Sequence, residues 1–439
     1  MSGLLGSLAN IFRVSDLRRR IGFTLSILAV YRLGSHVPLP GVNSVVLRDF
    51  MDSAMSGGFL KYLDLFSGGA LKRVAILSLG IMPYISASIM MQLLTVIVPT
   101  FEALAKEGDY GRKIINQYTR YLALGLSVMQ GLVFSTVLER AQDGLILCPG
   151  WGFRLTTVLF LSVGSLFVMW LGEQINQYGI GQGSSLLIFA GIVAAYPGQV
   201  LKVWGSVNAG QIDPLLAGGI LAFVLALISC IVFLERGERR VTIQYAKRVI
   251  GQKVYGGVSS YIPFKLNSAN VVPVIFAGAM LGMPMMLLKG LFSRFEMLKG
   301  ALDWIDYGAP LHTLITVALI IFFSFFYTSM IFNPVELADN LRKSGGFIPG
   351  VRPGRKTAEF FEYLLMRVSL PGAIYLAALA VMPDVVLRAL SSPISLSGIS
   401  LLIAVGVALD TSSQLEAALI ERRYDGFLSS GRMKGRYAR

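Results

Sequence analysis

The sequence predicts an all-α integral membrane protein of ten transmembrane helices, arranged as two five-helix halves related by an inverted repeat. Three observations carry that prediction. Of 439 residues, 54% are hydrophobic and only 15% charged, and the mean hydropathy of +0.65 lies outside the range of soluble domains. Apolar runs of bilayer-crossing length, roughly 20 residues, recur along the chain. Interrupted runs fall at corresponding places in the two halves, the pattern of inverted-repeat membrane folds.

The runs lie at about 21–38, 74–98, 118–138, 155–172, 184–203, 214–234, 271–290, 310–332, 370–388 and 396–419. They divide the chain into an N-terminal segment 1–20, a first half 21–203, a second half 204–419 and a tail 420–439. The opening "MSGLLGSLANIFRVSDLRRR" has no small-residue cleavage site after an apolar core, so no cleavable signal peptide is expected. Most of the 39 Lys and Arg fall on the side that holds both termini, which the positive-inside rule makes cytoplasmic. The net charge of +14 must sit in loops and tails, facing anionic headgroups, nucleic acid or an acidic partner. Cys148 and Cys230 lie at different depths, which argues against a disulfide framework.

The second run, preceded by "FSGGALKR", carries Gly80 and Pro83 near its middle, with Ser86 and Ser88 a turn later. Its counterpart, the seventh, carries Pro273, Gly278 and Gly282. These residues either interrupt the spans beside a pathway or let helices pack closely. Two loops on the cytoplasmic side, 235–270 and 333–369, are longer than a connection requires and strongly basic. The first alternates at Val241, Ile243 and Tyr245, which predicts a short hairpin. The second starts helical, breaks at Gly345-Gly346 and at Pro349 to Gly354, then resumes a helical pattern. Such loops either fix topology at the headgroups or form a docking platform for a cytoplasmic partner.

No catalytic constellation is expected. The chain has no GxxxxGK[ST] phosphate loop; "GIGQG" at 179–183 lacks a strand context and reads as a tight turn. His36 and His312, the two histidines, are far apart, so neither a metal site nor a cofactor is expected. Arg32, Glu173 and Asp410 are few and widely separated within the spans, too few for a proton- or ion-coupled mechanism. Aliphatic pairs such as Ile81 and Ile85, or Leu187 and Ile188, read as ordinary packing or as a lining. Gln92, Gln130 and Asn270 either line a polar path or join helices. The residues alone leave two classes open: a passive channel powered by partners, and an inverted-repeat secondary transporter of small solutes.

"LGIMPYISASIMMQLL", "KEGDYGRKIINQYTRY", "MWLGEQINQYGIGQGSSLLIFAGIVA", "FLERGERRVTIQYAKR" and "FNPVELADNLRKSGGFIPGVRPGRKT" resemble the signature segments of the SecY family, the central subunit of bacterial protein-translocation channels. The resemblance runs from about Arg18 to the C-terminal tail. It implies an hourglass pore in the inner membrane, clamped by SecE and accompanied by SecG, through which unfolded secretory preproteins pass. Signal sequences and membrane spans would leave sideways into lipid, between spans two and three on one side and seven and eight on the other.

Carried over by residue, the resemblance puts the pore ring at Ile81, Ile85, Ser184, Ile188, Ile275 and Ile403, with Ser184 departing from the usual aliphatic residue. It puts the plug at 58–70, with Phe59, Leu60, Leu63, Leu65, Phe66, Gly68 and Gly69, and a break at Gly68-Gly69 that lets it swing. Ser86, Gln92, Gln130 and Asn270 would line the lateral gate. Arg236, Arg239, Arg240, Lys247, Arg248, Arg352 and Arg355 would dock the SecA motor ATPase or the translating ribosome. Gln252 stands where some relatives have a basic residue. No specific nucleic-acid sequence is implied as a partner; membrane lipids are.

Overall fold

Apolar runs become helices where the backbone satisfies its own hydrogen bonds, and the protein is mostly helical. The computed structural model describes residues 14–43, 46–47, 64, 66–141, 144–245, 248–250, 253–255, 259–292, 309–390 and 397–429. The first helices are α1 (Ser15–Gly34), α2 (Met82–Ile97), α3 (Pro99–Lys106), α4 (Asp109–Ala141), α5 (Trp151–Tyr178), α6 (Gly183–Asn208) and α7 (Pro214–Arg236). Strands β1 (Glu238–Tyr245), β2 (Arg248–Ile250), β3 (Lys253–Tyr255) and β4 (Ser259–Lys265) follow. The chain continues with α8 (Val272–Phe292), α9 (Pro310–Ile331), α10 (Pro334–Lys343), β5 (Gly346–Phe347), α11 (Arg355–Ala389) and α12 (Gly398–Ser429). Among the described residues seven spans are long and apolar enough to cross a membrane; α2 with α3, bent by 98° at their break, makes an eighth. With α1 and α8 these fill the ten expected positions.

The described residues fall into two compact units, one drawn from 1–56, 63–195 and 407–439, the other from 57–62 and 196–406. In the first, α4 and α5 form an antiparallel pair with an ion pair toward each end. Arg120 donates to both carboxylate oxygens of Glu173, at 2.9 and 2.8 Å. Toward the other end Arg154 Nε donates to Glu139 Oε2 at 2.6 Å, and Glu139 Oε1 accepts from the Gly150 backbone N–H. Glu173 is therefore partnered, where the sequence reading treated it as an isolated intramembrane charge; its partner lies 53 positions away, beyond any local spacing. The 179–183 segment is the tight connection expected, with Gly181 at φ +90°. The Ile180 N–H donates to Thr24 Oγ1, and the Gly183 N–H to Asn176 Oδ1.

The largest departure from the sequence reading is in the second span. Residues 74–81 were expected to be helical, yet the helix begins at Met82. Gly80, at φ +54°, lies before it, and Pro83 occupies its first turn, where a missing N–H costs nothing. From Gly68 to Ile81 the chain runs through turns and is largely buried apart from Lys72 and Arg73; Phe66, Ala70, Val74 and Ala75 have no exposed surface. Non-helical backbone withdrawn from water survives only when other protein groups satisfy it. Here the Leu39 N–H donates to Val74 O, the Ile76 N–H to Val37 O, and Ser78 Oγ to Ala70 O.

In the second unit α9 packs against both α8 and α11, and Phe276 of α8 meets Phe323 and Tyr327 of α9 edge-on. Pro273 again sits in a helix's first turn, that of α8. Strands β4, β1 and β5 form one sheet, with β1 and β4 antiparallel from Glu238↔Lys265 to Gln244↔Ser259. The expected hairpin is present; the pairing of β1 with Gly346 and Phe347 in the other basic loop was not legible.

Gly68 and Gly69 separate two causes of glycine dependence. Both have positive φ, but a Cβ on Gly68 would stand 2.7 Å from Gly191 Cα, while none of the described residues lies within 4 Å of one on Gly69. Gly69→Ala is expected to cost about 1 kcal/mol and Gly68→Ala clearly more, about 2–4 kcal/mol. Thermal unfolding in detergent checks this; equal losses would mean that the contact with Gly191 does not constrain the segment.

Candidate functional site

The aliphatic residues singled out in the sequence occupy the opening turns of four helices. Ile81 is the N-cap of α2, and the Ile85 N–H donates to Ile81 O at 3.1 Å, so the two side chains lie one turn apart on one face. Ser184 and Ile188 fall in the first two turns of α6, Ile275 in the first turn of α8 and Ile403 in the second turn of α12. The five isoleucines are at most 6% exposed, and Ser184 is half-buried.

Upstream of Ile81, two consecutive side chains of α1 hold the chain at Ser67 and Gly68. Tyr31 OH donates to Ser67 O at 3.3 Å, and Arg32 Nη1 to Gly68 O at 2.6 Å. Arg32, read in the sequence as one of a few widely separated charges within the spans, donates to a peptide carbonyl at a positive-φ glycine. Asp64 organises the same turn: its Oδ1 accepts from the Lys72 N–H at 2.9 Å and its backbone oxygen from Ser67 Oγ and the Gly69 N–H. Burial raises the Asp64 pKa, against the lowering effect of the Lys72 N–H and the Ser67 hydroxyl. Phe66, Gly68 and Gly69 belong to this turn; Phe59, Leu60, Leu63 and Leu65 lie outside the described residues.

Ser86 and Gln92 are on α2 and Gln130 on α4, helices that pack together; Asn270 precedes α8 in the second unit. Ser86 is 5% exposed, and its Oγ and Gln92 Oε1 have no hydrogen-bond partner among the described residues. Gln92 Nε2 donates to Ser88 Oγ at 3.3 Å. Asn270 adopts φ +56°, and its carbonyl accepts from Asn267 Nδ2, which also donates to Glu235.

The two basic loops, separate in sequence, are one structure. Val241 and Ile243 of β1, Phe264 of β4, Leu341 of α10 and Phe361 and Leu365 of α11 share a hydrophobic core. Gly346 seats the second loop against it: a Cβ there would come within 2.7 Å of Leu341 Cδ1 and 3.1 Å of Ile243 Cγ2. On the outside of this platform Arg236, Arg239, Arg240, Arg352 and Arg355 are all exposed. Arg240 is ordered by a 2.6 Å hydrogen bond to Glu238 and stacks 4.8 Å over the Tyr261 ring. The bond to Glu238, then the Tyr261 hydroxyl, raise its pKa further. Arg355 pairs with Glu359 at 3.4 Å with its side chain 93% exposed. Arg248 lies on β2; Lys247 and Gln252 lie outside the described residues. The sequence showed the charge but not the shared core, because strand pairing between residues about a hundred positions apart leaves no local pattern.

Compared with known proteins, residues 75–412 match the SecY family profile. The SecY subunit of the protein translocase of Thermus thermophilus is 42% identical over 430 residues, covering 97% of this chain and 98% of that one. Two solved structures share the fold. One is a SecY channel described by its plug domain, which stabilises the closed state and maintains a membrane seal (TM-score 0.66, 16% identity, 91% and 92% covered). The other is Sec61 in the canine ribosome-channel complex of the endoplasmic reticulum (TM-score 0.62, 16% identity, 91% and 92% covered).

If the platform is one folded unit, damage to its core from one loop must be felt in the other. Phe264→Ala, which empties a side chain 1% exposed, is expected to destabilise the platform by about 3–5 kcal/mol. Limited proteolysis should then speed up in 344–354 as well as in 246–258. Faster cutting confined to the loop bearing the substitution would show two independent loops.

Proposed function

Because the chain belongs to the SecY family of protein translocase subunits, a multi-pass membrane channel and not an enzyme by itself, we propose that Ile81, Ile85, Ser184, Ile188, Ile275 and Ile403 form the ring through which unfolded polypeptide passes. The observation that carries this reading is the burial of five isoleucines at the starts of four helices, two of them directly after a non-helical segment held by α1. An aliphatic ring forms no fixed hydrogen bonds with its cargo, so it closes around many sequences while resisting ions by dewetting. Ser184 makes that dewetting less complete and shifts part of the sealing to the plug, residues 58–70. The family match does not support a small-solute transporter, and among the described residues Glu173 pairs with Arg120 while Arg32 donates to a backbone carbonyl.

Release into lipid is assigned to Ser86, Gln92, Gln130 and Asn270. Supporting this, Ser86 Oγ and Gln92 Oε1 are buried without a partner among the described residues, which makes the closed packing less cohesive there. The exposed cations of the platform suit an acidic or phosphate-rich surface such as a motor ATPase or ribosomal RNA. SecA and the translating ribosome are the proposed partners there, with SecE and SecG as companion subunits, both termini in the cytoplasm and the inner membrane as location.

Cargo contact is tested by a photo-crosslinker at position 85 against a stalled secretory precursor in reconstituted membranes. A signal-sequence-dependent adduct is expected; crosslinks to neighbouring helices alone, with transport continuing, would place the path elsewhere. Ile85→Asn or Ile188→Asn should raise ion conductance in planar bilayers at least several-fold, and wild-type conductance would remove the ring. Arg352→Glu should slow translocation driven by a cytoplasmic partner by roughly tenfold, the scale of one charged contact, while assembly with SecE persists. Unchanged transport rates would refute the docking role.

A further inference from the structure

Just beyond the end of α1, His36 joins α1 to the segment that leads from the proposed plug into α2. Its Nδ1 lies 2.8 Å from Arg32 O and its Nε2 2.7 Å from Arg73 Nη1. A carbonyl only accepts and a guanidinium only donates, so the geometry requires the proton on Nδ1 and a lone pair on Nε2. Ser35 agrees: its hydroxyl donates to Arg32 O at 2.7 Å and leaves its oxygen facing Nδ1 at 3.3 Å. The contact therefore exists only with the neutral ring. Arg73 is one residue before Val74, whose carbonyl accepts from Leu39, and five after Gly68, whose carbonyl is held by Arg32.

We propose that His36 and Arg73 are positioning residues, a proton-sensitive latch that holds the exit of the plug in the closed channel and loosens when the surface they share is acidified. The proposal rests on reading 58–70 as the plug. Protonation puts an N–H on Nε2, opposite the N–H of Arg73, so an attractive contact becomes a repulsion between two cations. Both side chains are exposed, so a proton from the adjoining solution reaches the ring without a pathway. Among the described residues, the other titratable or charged groups on the elements around this end of α1 are Tyr31 and Arg32 on α1, Asp64 and Lys72 on the held segment, Cys148 in the 144–150 loop, and the Glu139–Arg154 pair where α4 and α5 meet. Of these, Asp64 also braces the held segment, through Lys72 and Ser67. With both termini cytoplasmic, α1 runs outward and the latch faces the outer solution.

The test is ion conductance of the channel, reconstituted with its companion subunits in planar bilayers, as the outer chamber alone goes from about pH 8 to about pH 5.5. Conductance should rise roughly twofold to fivefold, the size of one exposed charge contact. His36→Gln, which accepts a hydrogen bond but takes up no proton, should remove the rise, and Arg73→Ala should leak at both pH values. No rise in the wild type, or a full rise in His36→Gln, overturns the proposal; if Asp64→Asn alone abolished it, the sensor would be Asp64. Ile85→Asn measured alongside separates the failures. A leak there with a pH-indifferent wild type removes the latch and leaves the ring, whereas no leak there removes the ring reading itself.

Discussion

A peptide N–H or C=O taken out of water must find a partner inside the protein, and the segment 66–81 meets that demand without being a helix. A helix meets it with its own i to i−4 bonds. This segment instead borrows from Tyr31, Arg32, Val37, Leu39 and Asp64, and from its own Ser67 and Ser78. The arrangement delivers Ile81 and Ile85 to the first turn of α2 rather than to the middle of a long span. Had 74–81 been helical, those side chains would have been placed by a rigid rod. As it stands they are placed by a set of hydrogen bonds that differ widely in exposure and charge, the kind of structure that opens locally at less cost than a helix.

The same constraint explains how charge is used within the spans. Arg32 stays because a carbonyl at a positive-φ glycine needs a donor, and Arg120 and Glu173 stay because each is the other's partner in bidentate geometry. Neither arrangement leaves an ionisable group free to carry a coupling ion. Outside the spans charge is spent differently: the platform buries Phe264 and Phe361 and displays arginine, so its electrostatics rest on a hydrophobic core built from two distant stretches of chain. A docking surface on two independent flexible loops would lose side-chain and backbone entropy on binding; one on a shared core has met that cost on folding.

Much of the candidate site was legible because its residue types are unusual for their setting. Isoleucines a turn apart beside Gly80 and Pro83, basic runs in long loops, and helical starts and stops at Pro334, Gly345 and Arg355 all carry local signals, and the helices fell close to their expected places. Reading Gly80 and Pro83 as breaks inside a helix was the instructive error. Hydropathy counts apolar residues without asking whether they are helical, and a buried non-helical segment is as apolar as the span it precedes. Only the φ of Gly80 and the partner of each carbonyl distinguish the two.

By itself the sequence determined what composition and local pattern can encode: a polytopic helical membrane protein, the breaks in its second basic loop by Gly and Pro, and a hairpin by alternation. The tertiary structure alone decided where α2 begins, that Arg32 and Glu173 are partnered, that Gly346 and Phe347 extend the sheet of a loop about a hundred residues earlier, and that His36 faces Arg73. These share one physical reason. Each depends on a hydrogen bond, ion pair or strand pairing between residues brought together by folding, and no window along the chain contains both partners.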